Sequence, residues 1–299
     1  MTRTILVTGA TGTVGSEVAD DLRDRDDHVR VAVRDPDTRE ARFGDHDEVV
    51  TSDFERPETW GTTLADVDAV FLVRPPAVGL ARLREFLNAA ARVGVEHVVL
   101  LSLLGARRLP MTPHRRLERH IEDTAMAYTF LRASFLMRTL VENHREDIVE
   151  HDEIFVPAGG GTTSFVDARD VGAAAVALAE GGHEDRAYDV TGAEALDYVE
   201  VADAFTDVLG RPIAYPDPSI PEFIRRTYPR GQPSQFVLVT IGVYTTARLG
   251  LAGRVTLQRS RSGPRPAGRA SRRRRRQSSR WVRPGRRGSS RDGSPGTRR

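Results

Sequence analysis

Three glycines near the N-terminus have the spacing of a nucleotide-binding loop. Gly9, Gly12 and Gly15 follow the apolar run 5–7 and precede residues 13–25, where apolar side chains recur at helical spacing. A strand that passes through a glycine turn into a helix gathers free backbone N–H groups and the positive end of the helix dipole at one point. The pattern predicts a diphosphate-binding loop formed by Gly9, Thr11, Gly12, Thr13, Val14 and Gly15.

The residue after the second apolar run indicates which dinucleotide is bound. Residues 29–33 end at Arg34, and Asp35 follows. NAD-binding proteins place a carboxylate at this position for the ribose hydroxyls, whereas NADP-binding proteins place an arginine for the 2′-phosphate. The planar guanidinium suits a phosphate group. We therefore expect NADPH, with Arg34 on its additional phosphate, while Asp35 leaves NAD as an alternative.

Two missing residue types restrict the chemistry. The chain has no cysteine, which excludes disulfides, thiolate nucleophiles and cysteine metal sites. It also has no lysine, so all 44 basic residues are arginine and no Tyr-x-x-x-Lys pair can supply a proton. The eight histidines show no metal-ligand spacing and no Gly-x-Ser-x-Gly elbow occurs, so we expect neither a metal site nor a serine hydrolase.

The elements that must position these residues alternate along the chain. Apolar runs at 5–7, 29–33, 48–51, 69–73, 97–102 and 128–132 predict strands, and residues 13–25, 78–93 and 113–125 predict helices between them. This alternation indicates an α/β fold, a doubly wound parallel sheet of the Rossmann type. Such a sheet binds its ligand beyond the carboxyl ends of its strands.

The pattern changes twice, which suggests three parts. Residues 1–150 form the predicted NAD(P)-binding domain. Residues 151–254 hold the remaining sheet elements and a small substrate lobe, with strands expected at 164–166, 187–190 and 213–215 and helices at 171–180 and 198–209. Residues 255–299 carry 16 arginines and one acidic residue, a net charge of +15, against −13 for residues 1–254. Their arginine, serine, glycine and proline content predicts a disordered tail.

Several segments together resemble a known family. These are the glycine loop with Arg34 and the pair Asp53-Phe54, followed by residues 71–76, 100–106, 128–132, 165–171, 188–192 and 209–212. Over residues 3–254 the chain resembles the NmrA-like branch of the atypical short-chain dehydrogenases. That branch includes NADPH-dependent quinone oxidoreductases, azoreductase-like proteins and a redox-sensing transcriptional regulator. Family members continue into further helices where this chain becomes arginine-rich, and one hypothesis is that the tail is an out-of-frame translation.

The resemblance implies further site residues. Asp53 and Phe54 are expected to border the adenine, and Val73 belongs to the fourth strand and its loop. His114 stands where relatives often carry a lysine, so it is the candidate to hold the nicotinamide ribose or to donate a proton; the alternative is a surface histidine. Ser102 ends the fifth strand, where the nicotinamide is expected, and either lines the pocket or satisfies local backbone.

Without a strong proton donor, a conjugated acceptor is the favoured substrate, because it spreads the charge that hydride transfer creates. We expect an NADPH-dependent reductase of quinone-like or azo-like small molecules. The alternative is a non-catalytic NAD(P)-binding sensor that acts on a protein partner. Binding of nucleic acid through the basic tail is the third, least favoured function, since the tail has few aromatic residues. No signal peptide or membrane-spanning run is visible, which predicts a cytoplasmic protein.

Overall fold

The computed structural model describes residues 3–23, 25, 27–35, 43, 48–179 and 182–256. The predicted disordered tail therefore lies outside the described residues, except for Val255 and Thr256. Thr256 packs back on the fold, since its N–H donates to Thr191 Oγ1 (3.0 Å) and its hydroxyl donates to the Asp189 carbonyl (3.2 Å).

Seven parallel strands form the main sheet. They are β1 (Thr4–Val7), β2 (His28–Val33), β3 (Glu48–Thr51), β4 (Ala69–Val73), β5 (His97–Leu103), β6 (Ala127–Ala133) and β9 (Arg186–Val190), in the order β3-β2-β1-β4-β5-β6-β9. The strand order reverses between β1 and β4, which opens a crevice at their carboxyl ends. The expected doubly wound α/β fold is confirmed.

Helices cover both faces of this sheet. On one face lie α1 (Thr13–Arg23) and α7 (Ala168–Ala179), which approach so closely that a Cβ on Gly172 would lie 2.7 Å from Glu17 Cβ. On the other face lie α2 (Trp60–Leu64), α3 (Leu80–Val93) and α4 (Pro113–Glu122). Each face has its own apolar core, with Val18 and Leu22 in the first and Phe86 and Leu117 in the second. Two buried layers hold the carboxyl edge of the sheet in place.

A smaller lobe follows β6 in the chain. Its mixed sheet contains β7 (Phe135–Leu136), β8 (Thr163–Val166) and β10 (Ala195–Leu196), in the order β10-β8-β7. Its helices are α5 (Met137–Asn143), α6 (Arg145–Glu150), α8 (Tyr198–Leu209), α9 (Ile220–Thr227) and α10 (Ser234–Arg248). Tyr198 and Tyr244 are fully enclosed at its centre, so the lobe has a core separate from those of the main sheet.

The strand predicted at 213–215 is wrong. Only a single bridge joins Ala214 to Glu153. The N–H of Ile213 is taken by Thr206 Oγ1 (2.8 Å), and the segment is bounded by Pro212 and Pro216, which have no N–H to donate. An apolar run between two prolines therefore does not extend into a ladder here.

Among the described residues, no helix combines the length and the apolar character needed to cross a bilayer.

Candidate nucleotide and substrate site

The glycine loop joins β1 to α1 at the carboxyl edge of the sheet. Gly9 adopts a positive φ of 64°, and its carbonyl accepts the Gly12 N–H at 2.8 Å, which closes a tight turn. The first hydrogen bond of the helix runs from Ser16 N–H to the Gly12 carbonyl (3.1 Å). The N–H groups of Thr13, Val14 and Gly15 therefore precede the helical ladder and are available to an anion.

Close packing explains two of the glycines. A Cβ on Gly15 would overlap the Gly9 carbonyl oxygen, so α1 can begin this close to the strand only with glycine at that position. A Cβ on Gly9 would lie 3.1 Å from Val73 Cβ on β4. Val14 is buried, so its backbone rather than its side chain is offered to a ligand.

Thr8 attaches the loop to the neighbouring strand. Its hydroxyl donates to the Phe71 carbonyl (3.0 Å) and accepts the Val73 N–H (3.0 Å). This double contact fixes the ends of β1 and β4 relative to each other. Val73, a predicted site residue, is thereby brought against the glycine loop.

Arg34 follows the last residue of β2, at the same edge of the sheet. Its side chain is exposed, and no described residue forms an ion pair or hydrogen bond with it. Asp35 beside it is also exposed but does have an interaction partner. The geometry therefore leaves the guanidinium open to an anionic ligand from solution.

Asp53 and Phe54 follow β3 and form a compact turn. The Asp53 carbonyl accepts Trp60 Nε1–H (3.0 Å), and its carboxylate accepts the Glu55 N–H (3.0 Å). Phe54 is half-buried and meets Phe86 edge to face, with ring centroids 5.0 Å apart. Asp53 thus has a turn-forming role, whereas Phe54 offers an aromatic surface at the carboxyl edge.

A buried cluster of charged side chains occupies the carboxyl end of β5. Ser102 donates its hydroxyl proton to Glu118 Oε1 (2.6 Å), and Glu118 is fully buried. Arg132 forms a bidentate contact with the same carboxylate, from Nε to Oε1 (2.9 Å) and from Nη2 to Oε2 (2.8 Å). Arg115 Nη1 also donates to Oε2 (3.0 Å). Burial by itself raises the pKa of Glu118, but the bonds from Arg132 and Ser102 outweigh it, so the pKa is lowered on balance and the carboxylate stays charged.

His114 lies in the first turn of α4 and is half-buried. Burial, reinforced by the nearby Arg74 guanidinium, lowers its pKa to about 4, while Glu118 acts in the opposite direction. The imidazole is therefore neutral near pH 7. It can donate or accept a hydrogen bond with a ribose hydroxyl, but it does not supply a proton as an imidazolium at that pH.

Three residues of this region were missed at the level of sequence. The sequence pattern assigns Glu118, Arg132 and Arg74 no role beyond their places in or next to predicted helices and strands. Burial of a Glu and an Arg that lie 14 residues apart has no local signature, because β6 and α4 are brought together by the sheet. For Arg74, the sequence offers its place directly after a predicted strand and nothing about its burial.

The sheet order, the crevice and the glycine loop define a dinucleotide-binding Rossmann protein. A family model described as NAD(P)H-binding matches residues 9–181. The chain belongs to this NAD(P)H-binding family, in its NmrA-like, atypical short-chain dehydrogenase branch.

Two of the relatives are reductases. The chain is 36% identical over 217 residues to the NAD(P)H azoreductase of Xenophilus azovorans. The matched region covers 71% of this chain and 76% of that protein. It is 37% identical over 220 residues to the (4-alkanoyl-5-oxo-2,5-dihydrofuran-3-yl)methyl phosphate reductase of Streptomyces griseus, with 71% and 76% covered.

A solved structure agrees with these relatives. The NADPH-dependent quinone oxidoreductase of Escherichia coli, determined with NADPH, matches with a TM-score of 0.76 and 25% identity over 84% of this chain and 91% of that one. The chain is thus a member of an NAD(P)H-dependent oxidoreductase family.

Proposed function

We propose that this protein is an NADPH-dependent reductase that transfers hydride to a quinone-like or other conjugated acceptor. The observation that carries the proposal is the carboxyl edge of the sheet. There the glycine loop follows β1, Arg34 follows β2 and Val73 ends β4, and these three strands are adjacent. In this proposal the N–H groups of Thr13, Val14 and Gly15 bind the diphosphate, and Arg34 binds the 2′-phosphate.

The remaining site residues orient the two reactants. Phe54 packs beside the adenine with Asp53 holding its turn, and the neutral His114 imidazole bonds the nicotinamide ribose. Ser102 lines the floor of the nicotinamide pocket through its oxygen, because its proton is committed to Glu118. The lobe that follows residue 150 supplies the walls for the acceptor, and residues 1–150 hold the cofactor.

The acid–base character of the site favours an acceptor that needs no enzymatic proton. NADPH, when bound, supplies the hydride. His114 is neutral near pH 7 and the Ser102 proton is engaged, so neither candidate donor delivers a proton readily. A quinone or similar conjugated system delocalises the charge it gains and then takes a proton from water. A simple ketone would form a basic alkoxide and would require a donor in the transition state.

The names of the relatives support this substrate class. One acts on azo compounds, and another is named for a ring in which a C=C bond is conjugated with a carbonyl group. The match to a quinone oxidoreductase solved with NADPH supports both the acceptor and the choice of cofactor. NAD is the less favoured cofactor, since the exposed Arg34 follows β2 directly and Asp35 has another partner.

The test is a steady-state assay of the full chain with NADPH or NADH and a panel of quinones, azo dyes and simple ketones. Oxidation of NADPH by quinones or azo dyes, with ketones inert, supports the proposal. Tight binding of NADPH without turnover of any acceptor contradicts it and indicates a sensor. Preference for NADH contradicts the assignment of Arg34.

A further inference from the structure

Arg74 is a half-buried arginine without a partner at the mouth of the site. It follows the last residue of β4, so it lies at the carboxyl edge next to Val73 and the glycine loop. Its Nε is fully buried and makes no hydrogen bond, and no described residue forms an ion pair with its guanidinium. Burial lowers its pKa, with no carboxylate among the described residues to offset the effect.

Other arginines with little exposure are compensated in this fold. Arg30 bonds Glu48 at 2.8 Å and the carbonyls of Thr63 and Ala65. Arg132 binds Glu118 through two contacts. A buried charge with no counter-ion is costly, so an arginine left in that state at the edge of a binding crevice has the character of a ligand-binding group.

The position of Arg74 indicates which ligand it faces. Arg74 follows β4, which lies between β1 and β5 in the sheet, so it lies between the glycine loop and the end of β5, where the nicotinamide is expected. The N–H groups of the loop already serve the diphosphate, and Arg34 is open to the 2′-phosphate at the other end. An anion that reaches Arg74 therefore comes most naturally from the second reactant.

We propose that Arg74 binds an anionic substituent of the acceptor, a carboxylate, sulfonate or phosphate, and so selects anionic conjugated acceptors over neutral ones. This specificity rests on the proposed reductase function. The bond is of the charge-assisted type, in which a guanidinium meets two oxygens of the anion. It holds the acceptor ring beside the nicotinamide and takes no part in the transfer of hydride.

A matched pair of acceptors tests the assignment. The variants Arg74→Gln, Arg74→Lys and, as control, Arg92→Gln at the exposed end of α3 are assayed at saturating NADPH with naphthoquinone and naphthoquinone sulfonate. We expect Arg74→Gln to raise KM for the sulfonate by about tenfold or more, as loss of a charge-assisted bond predicts, with little change for neutral naphthoquinone. Arg74→Lys retains part of the preference, and the control retains all of it.

An equilibrium measurement separates failure of this proposal from failure of the reductase function. Naphthalene sulfonate, which accepts no hydride, is titrated calorimetrically into the NADP⁺-saturated full chain and the same variants. Binding that Arg74→Gln loses and Arg92→Gln keeps supports the anion site even if no quinone is reduced. Equal sulfonate binding by Arg74→Gln and Arg92→Gln overturns the proposal. A loss of NADPH affinity in Arg74→Gln with an unchanged preference for the sulfonate also overturns it, because that result would assign Arg74 to the cofactor.

Discussion

Arg34 is the residue on which the choice of cofactor depends. Its exposed guanidinium has no partner among the described residues, so replacing it removes no internal contact. We expect Arg34→Gln to weaken NADPH binding by roughly tenfold or more, the size of a lost charged hydrogen bond, and to leave NADH binding nearly unchanged. Fluorescence titration with both reduced dinucleotides measures this, with Arg92→Gln as the control. Equal weakening for the two cofactors would mean that Arg34 does not distinguish them.

Glu118 shows how the role of a single residue is decided by its surroundings. It lies four residues after His114, so the two side chains share one face of α4. In the fold that carboxylate is completely buried and is neutralised by Arg132 and Arg115. Among the described residues, this leaves His114, Arg74 and the oxygen of Ser102 for a ligand on that side of the site. The buried ion pair stabilises the position of α4 against β5 and β6.

At the scale of elements, the junction of β1 and α1 requires glycine at one position above all. We expect Gly15→Ala to lower the free energy of unfolding by about 1–3 kcal/mol, because the new methyl group overlaps the Gly9 carbonyl oxygen. It also displaces the N–H groups of the loop, so NADPH binding is weakened. Denaturant unfolding and calorimetric titration measure the two effects.

The matched control for that change is Gly61→Ala in α2, where a Cβ meets open space. There alanine is expected to be neutral or slightly stabilising, since it favours the helix. If the two substitutions had equal effects, close packing between the loop and α1 would not be the reason for glycine at position 15.

The buried His144 links α10 to the segment between α5 and α6. Its Nε2 meets the Tyr244 hydroxyl at 2.7 Å, and burial lowers its pKa to about 4, with Asp147 acting in the opposite direction. Well above pH 6.5 the imidazole is neutral in both the folded and the unfolded chain, so its burial carries no protonation penalty there. As pH falls from 6.5 to about 4, His144 becomes protonated in the unfolded chain but stays neutral in the folded chain. The free energy of unfolding therefore decreases by an amount on the order of 3 kcal/mol.

Comparison with His144→Gln isolates this effect, because glutamine does not titrate. We expect the variant to be less stable at pH 7, since it fills the buried site less well, and the difference from the parent chain to shrink between pH 6.5 and about 4. Chemical denaturation at a series of pH values measures both curves, and the carboxylates contribute equally to each. Parallel curves would show that His144 is not held neutral.

At the scale of the whole molecule, the site is built from residues that precede the basic segment. The last described residue, Thr256, bonds Thr191 and Asp189, so the fold uses the chain up to that point. We expect a chain that ends at Thr256 to bind NADPH and reduce acceptors within about twofold of the full chain. A salt-sensitive gel shift with RNA or DNA, seen only with the full chain, would instead assign a function to the 16 arginines.

Much of the architecture follows from local pattern. The run 69–73 coincides with β4, a continuous apolar run that ends before Pro75. The segment 198–209 coincides with α8, whose start is marked by the capping box of Asp197 and Glu200. The run 213–215 has the same composition as a strand but lacks free N–H groups on both sides. It therefore forms one bridge and does not extend into a strand, which is a property of the backbone that hydrophobicity does not record.

The amino-acid sequence by itself determined the dinucleotide loop, the order of strands and helices, and the absence of a lysine proton donor, because glycine spacing, periodicity and residue types are local properties. The tertiary structure decided which polar groups are left for a ligand. The carboxylate of Glu118 and the hydroxyl proton of Ser102 are engaged in contacts between α4, β5 and β6, whereas Arg74 has no counter-ion among the described residues. Whether a charged side chain is paired depends on residues distant in the chain, and only the folded sheet brings those together.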